Sequence, residues 1–278
     1  MPVPPPPPPA TAVTSDTRPL ARTVHGSGPA LVLVHGTGGN ANGTWGDILE
    51  PLGRHYTVIA PDLPGSGGSP RTEEALTLDA LADRIAASAT EQGHARFALA
   101  GYSLGAALAV RAAVRHPERV AALVLVAGVA HADRRMQLIA ELWRDLTDHP
   151  RFLAKWGLIA GFREDELAAY SAPDLAAAVS AQAGSLEPGL VDQIDLLSRT
   201  DVRADLPRVQ APTLVVSTSA DTFVPPTHHR TLYDGIAGAR FTELASGHLL
   251  TGPRLGELAR TIDEFLPEAG YPGARGTG

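Results

Sequence analysis

The chain has 278 residues, 44% of them hydrophobic, and a formal net charge of -7. That is enough apolar material for a large core, either one domain with an insertion or two small ones. The absence of cysteine excludes a disulfide framework, a thiolate metal site and a cysteine nucleophile. Positive charge is nearly all Arg and nowhere dense enough for nucleic acid, and no apolar stretch reaches membrane-spanning length.

Residues 1–18 open on a run of prolines that favours an extended polyproline helix and cannot pack a core. They read as a disordered tail. No charged segment leads into an apolar one, so the expectation is a cytoplasmic protein without a secretory signal. Arg22–His25 is a short strand candidate. Ala30–His35 is a continuous apolar run, as in a strand buried on both faces, and it ends in Gly36-Thr37-Gly38-Gly39-Asn40. An amphipathic piece over 44–53 leads to a strand at Tyr56–Ala60. Apolar residues at 78, 81, 82, 85 and 86 predict a helix within 76–92, with Thr77 as its N-cap.

Phe97–Ala100 then reads as a strand, and the Ala- and Leu-rich segment from Leu104 as a helix that stops before Pro117. Between them lies Gly101-Tyr102-Ser103-Leu104-Gly105. A strand turning sharply into a helix strains its corner residue, while flanking glycines let the segments close up. Ser103 is left at the tip of a G-x-S-x-G elbow. Val120–Val126 is a further strand. Residues 131–205 change character: aromatics are spaced among helical segments broken at Pro150, Pro173 and Pro188, with no strand signal. After them come a strand at 213–217, a helix at 227–236, a strand at 240–244 and a closing helix at 253–266.

This alternation predicts an α/β protein with a mostly parallel sheet of about seven or eight strands flanked by helices. The core would comprise 19–130 and 206–268 around a helical insertion at 131–205, with a flexible tail at 269–278. In such sheets working residues sit in loops at the carboxyl ends of strands.

A serine hydroxyl needs a base within hydrogen-bond reach, and the base needs an acid to fix its tautomer. His248, after the last strand, fits the base. Asp221, after the strand before it, fits the acid, with Asp133 as its rival. A tetrahedral intermediate also needs backbone donors. Leu104 and Thr37 are the candidates, with Gly36 and Gly38 as alternatives to Thr37. A phosphate cradle at 36–39 lacks both the G-x-G-x-x-G spacing and the Walker lysine. His228 and His229 are adjacent, so on a helix they diverge and cannot share a metal. His35 reads as a residue that orders its own loop, and Asp62 as a turn residue.

His35-Gly36-Thr37-Gly38, Asp62-Leu63-Pro64-Gly65-Ser66-Gly67, the Ser103 elbow, Asp221 with Val224-Pro225, and Gly247-His248 resemble the α/β-hydrolase fold superfamily over roughly residues 20–267. The resemblance implies a Ser103–His248–Asp221 triad, an oxyanion hole at Thr37 and Leu104, and a helical cap over 131–205. Serine at the elbow argues against epoxide hydrolases and haloalkane dehalogenases. Perhydrolases and carbon–carbon bond hydrolases have similar elbows. One departure is the small number of strands ahead of the elbow. The implied activity is hydrolysis of an ester or thioester of a small, largely apolar molecule, with no cofactor and no metal. Gly36, Gly38, Trp45, Tyr102, Met136, Trp143, Trp156, Phe223 and Leu249 would line the pocket. Two alternatives share the scaffold: a lyase, cyclase or acyltransferase, and a ligand-binding protein with a relic triad. Substrate identity and oligomeric state are left open.

Overall fold

The computed structural model describes residues 16–273. The proline run therefore lies outside the described residues, as do residues 10–15 and 274–278. In chain order the elements are β1 (Arg22–His25), β2 (Ala30–Val34), α1 (Ala41–Gly53), β3 (Thr57–Pro61), α2 (Leu78–Thr90), β4 (Phe97–Tyr102), α3 (Leu104–Arg115) and β5 (Val120–Val126). Five helices follow: α4 (Arg134–Leu146), α5 (Pro150–Gly161), α6 (Glu164–Ala168), α7 (Ala172–Ala183) and α8 (Leu190–Ser198). The chain closes with β6 (Thr213–Thr218), α9 (Pro226–Gly235), β7 (Arg240–Leu244) and α10 (Pro253–Glu268).

The strands form one seven-stranded sheet in the order β1-β3-β2-β4-β5-β6-β7. β1 runs antiparallel to β3, and every other pairing is parallel. Side chains alternate across a strand, so β2 feeds two cores. Val32 and Val34 join the core beneath α2, α3 and α9, whereas Leu31 and Leu33 join the one beneath α1 and α10. β2 is flanked by β3 on one side and β4 on the other. The loops leaving β2 and β4 therefore diverge, and a crevice opens at their carboxyl ends.

Two local readings shift. The first helix starts at Ala41 rather than near residue 44, because Asn40 caps it by accepting from Gly43 N–H at 2.7 Å and Asp62 Oδ1 accepts from Ala41 N–H at 2.8 Å. Thr77 caps α2 through Ala80 N–H at 3.2 Å. Beyond α10 the described residues of the expected loose tail are docked. Tyr271 packs on the second core, and its hydroxyl donates to Ala30 O at 2.8 Å.

Helices α4–α8 interrupt the alternation between β5 and β6. Their two ends meet at a narrow neck, where Ala132 N–H donates to Thr200 O at 2.7 Å and Val202 N–H to Ala130 O at 2.9 Å, beside an isolated His131–Asp201 bridge. Among the described residues no helix is long and apolar enough to cross a membrane.

Candidate active site

The β4–α3 corner is tight. A Cβ on Gly101 would lie 2.1 Å from Gly105 O, and one on Gly105 would lie 2.4 Å from Val34 O. Only hydrogen fits at either position, so the sequence Gly-x-Ser-x-Gly is dictated by backbone contact. Ser103 takes φ 57° and ψ -118°, a left-handed conformation strained for a residue with a Cβ. It is 5% exposed, its N–H donates to Val126 O at 2.9 Å, and the N-terminus of α3 lies directly behind it. Leu104 N–H, first in that helix, has no intrahelical acceptor.

Asp221 lies in the loop after β6. Its Oδ1 accepts from Phe223 N–H at 2.9 Å and Val224 N–H at 2.8 Å, and its Oδ2 accepts from the Thr218 hydroxyl at 2.8 Å. His248 Nδ1 lies 2.6 Å from Asp221 Oδ2, and His248 Nε2 lies 3.1 Å from Ser103 Oγ. A carboxylate only accepts, so Nδ1 carries the proton and Nε2 is free to accept from the serine hydroxyl. Burial alone would raise the Asp221 carboxyl, but the facing His248 imidazole and the donors around it hold it below its ordinary value. The His248 loop is fixed from two sides. The Tyr102 hydroxyl donates to His248 O, and the Phe223 ring stacks on the imidazole at 5.0 Å. Burial pushes the Tyr102 hydroxyl up, which keeps it protonated.

The rival acid is engaged elsewhere. Asp133 caps α4, accepting from Met136 N–H at 2.8 Å, and its other oxygen lies 3.3 Å from His228 Nε2. His229, the next residue on α9, turns the other way: its Nδ1 lies 3.0 Å from Ser217 Oγ, and its Nε2 lies 3.9 Å from Asp221 Oδ2. The two rings thus serve different neighbours, as the helical geometry predicts.

The loop after β2 runs alongside the serine. A Cβ on Gly36 would lie 2.9 Å from Ser103 Cβ. His35 braces this loop, accepting from Leu63 N–H at 2.9 Å on Nε2 and donating from Nδ1 to Gly36 O at 2.8 Å. Burial lowers its pKa, so it stays neutral. Asp62 anchors the neighbouring turn by accepting from Ala41 and Gly68 N–H. Gly38 N–H is already given to Gln193 Oε1 at 2.8 Å, which removes Gly38 from the candidate oxyanion donors and leaves Thr37 and Gly36.

A cavity of about 420 Å³ opens over Ser103. Gly36, Gly38, Tyr102, Trp143, Trp156, Phe223 and Leu249 line it, together with Thr37 and His248. Trp45 and Met136 do not. Trp45 is fully buried beneath the sheet, edge-on to Tyr102 at 6.1 Å. Met136 packs into the other core at the foot of α4. Sequence reasoning missed Leu153, Ala154, Gly157, Leu190 and Glu187. It also missed Gln193, whose amide group also donates to Pro64 O and Ser66 Oγ and so ties α8 to both core loops. Gln193 sits on the Leu190–Ile194–Leu197 face of α8, and a polar residue on an apolar stripe was the available signal.

Three comparisons bear on this geometry. A model of the alpha/beta hydrolase fold matches residues 29–251. The chain is 33% identical over 252 residues to the pyrrolizixenacetamide deacetylase of Xenorhabdus hominickii, covering 90% of this chain and 95% of that protein. It is 34% identical over 222 residues to the pimeloyl-(acyl-carrier protein) methyl ester esterase of Aeromonas hydrophila, covering 72% of this chain and 80% of that one. In structure it is similar to a thermophilic esterase from Thermogutta terrifontis, with a TM-score of 0.76, 25% identity, and 90% and 93% of the two chains covered. The chain belongs to the alpha/beta hydrolase fold family.

Proposed function

We propose that this protein hydrolyses an ester or thioester of a small, largely apolar molecule through an acyl-enzyme. The observation that carries the reading is the hydrogen-bonded line from Ser103 Oγ through His248 to Asp221, ending in the cavity. Ser103 Oγ attacks the carbonyl carbon as His248 Nε2 takes its proton, and the Asp221 carboxylate stabilises the imidazolium that forms. The amides of Leu104 and Thr37 donate to the oxyanion. On collapse the carbon–oxygen or carbon–sulfur bond breaks and His248 gives its proton to the leaving group. Water, deprotonated by the same imidazole, then attacks the acyl carbon and releases the acid and free Ser103. Helices α4–α8 act as a cap that supplies the apolar wall.

A fluorophosphonate probe tests the nucleophile. Mass spectrometry should find the adduct on Ser103, and Ser103→Ala should abolish both labelling and turnover of p-nitrophenyl acetate. Residual turnover within tenfold of wild type sinks the reading. The deacetylase relative favours a second substrate bond for the same machinery, an acetamide; release of acetate from N-acetylated amines, lost in Ser103→Ala, is its test.

A further inference from the structure

The cavity lining combines two chemistries. Ser103, His248, Phe223, Trp143 and Trp156 line the cavity, and the polar side chains of Asn40, Gln182, Ser185 and Glu187 reach the same space. Glu187 is the one carboxylate among the lining residues, and no Lys or Arg is among them. The Glu187 carboxylate is held by neutral donors: Asn40 Nδ2 at 2.6 Å on Oε1 and Gly67 N–H at 2.9 Å on Oε2. Two oxygens carry about four acceptor positions, so half remain for a ligand. Two of the nearby donor groups are already engaged. Asn40 gives its amide hydrogen to Glu187 while its own oxygen caps α1, and the Ser185 hydroxyl points back to Gln182 O at 3.2 Å. Arg71, on the adjoining loop, is forked on Asp192 at 2.8 and 3.0 Å. Gln182 Oε1 is buried with no partner at all, an arrangement that costs free energy until a donor arrives.

This polar part of the lining therefore offers acceptors and a negative charge with no local cation. A carboxylate or phosphate there would meet like charge in a partly desolvated space, whereas an ammonium would find acceptors in the Glu187 carboxylate and Gln182 Oε1. We infer that the enzyme selects substrates bearing a protonated amine away from the scissile carbonyl, with Glu187 as the residue that sets this preference, and that it discriminates against anionic ones. The inference rests on the reading of Ser103 as the nucleophile and extends it from reaction type to substrate class.

Two matched ester series test it. One places ammonium, methyl or carboxylate at the end of a six-atom acyl chain on p-nitrophenol. The other places the same groups on the alcohol of an acetate. In at least one series kcat/KM should rank ammonium above methyl above carboxylate, with at least tenfold between the extremes, and added salt should shrink the ratio. In Glu187→Gln the ammonium-to-methyl ratio should fall to near one, and Glu187→Asp should restore part of it. Ratios within one variant cancel any general loss from disturbing the loop. A wild type that ranks carboxylate first, or shows no ranking in either series, overturns the inference, as does a Glu187→Gln ratio equal to wild type. The short p-nitrophenyl acetate keeps the two levels apart. Its turnover, lost in Ser103→Ala, stands for the reaction even if the charge ranking fails, and its persistence in that variant counts against the reaction itself.

Discussion

The sheet and the α4–α8 insertion are built to different tolerances. β2 and β4 are wholly buried, and their loops touch backbone to backbone at Gly101, Gly105 and Val34. The insertion leaves Leu138, Phe152 and Ile159 more than 60% exposed and is tied down by a neck, a few ion pairs and Gln193. The rigid region places Ser103, His248 and Asp221 in one hydrogen-bonded line; the looser one supplies Trp143, Trp156, Leu153 and Leu190 as wall. Position must be accurate to a fraction of an ångström for chemistry but not for apolar packing around a tail. On this division, substitutions in the sheet loops change the rate or the fold, and those in the insertion change which substrate is accepted.

The largest effect expected is on rate. Ser103→Ala should lower kcat/KM for p-nitrophenyl acetate by at least about a thousandfold while leaving the circular dichroism spectrum and melting curve in place, because alanine carries the same Cβ through the same strained corner. Next comes a fold effect in the same loop. Gly101→Ala drives a Cβ into the Gly105 carbonyl, and neither backbone segment can yield, so urea unfolding should show a loss of about 3 kcal/mol or more. If Gly101→Ala melts like wild type, the rigidity assigned to this region is wrong.

Why the sheet was legible strand by strand, and the insertion only as a run of helices with an incomplete pocket wall, follows from the same contrast. A parallel strand buried on both faces must be apolar throughout, so Ala30–Val34 and Val120–Val126 declare themselves; a corner that admits only hydrogen spells out Gly-x-Ser-x-Gly. Chain order and loop position then nominate His248 and Asp221, which the structure brings together with Ser103. The pocket wall has no such constraint. Trp143 and Trp45 look alike as isolated aromatics, yet one lines the cavity and the other is buried beneath the sheet, and only the packing of α1 and α4 decides which. Glu187 and Asn40 are 147 positions apart, and nothing local to either announces the pair.

The core also has a pH signature. His229 is fully buried beside Ser217 and Asp221, and burial brings its pKa down to about 4. His228, on the same helix, is lowered for the same reason. In the unfolded chain a histidine takes up its proton near pH 6.5. Between pH 6.5 and pH 4 the unfolded state thus binds more protons, and stability falls as pH falls, by up to about 3 kcal/mol for His229 alone. Asp221, held below its ordinary value, adds a further loss only beneath about pH 4. Chemical denaturation of wild type from pH 7 to pH 4 should show the decline, and His229→Gln should flatten it. Parallel slopes in the two proteins would remove His229 as the cause.

The smallest effect is expected in the insertion and probes its looseness directly. Gly157 sits inside α5 and lines the cavity, and a Cβ there meets nothing closer than Gln182 Oε1 at 3.7 Å. Glycine within a helix costs about 0.5–1 kcal/mol relative to alanine, so Gly157→Ala should raise stability by roughly that amount, the opposite sign to Gly101→Ala. The added methyl also occupies cavity space. Turnover of p-nitrophenyl acetate should stay close to wild type while kcat/KM for long acyl chains drops a few-fold, since a methyl in an apolar pocket discriminates by about 1–3 kcal/mol at most. A uniform loss across all chain lengths would mean that α5 helps hold the serine line itself, and the separation of reaction from selectivity between the two regions would fail.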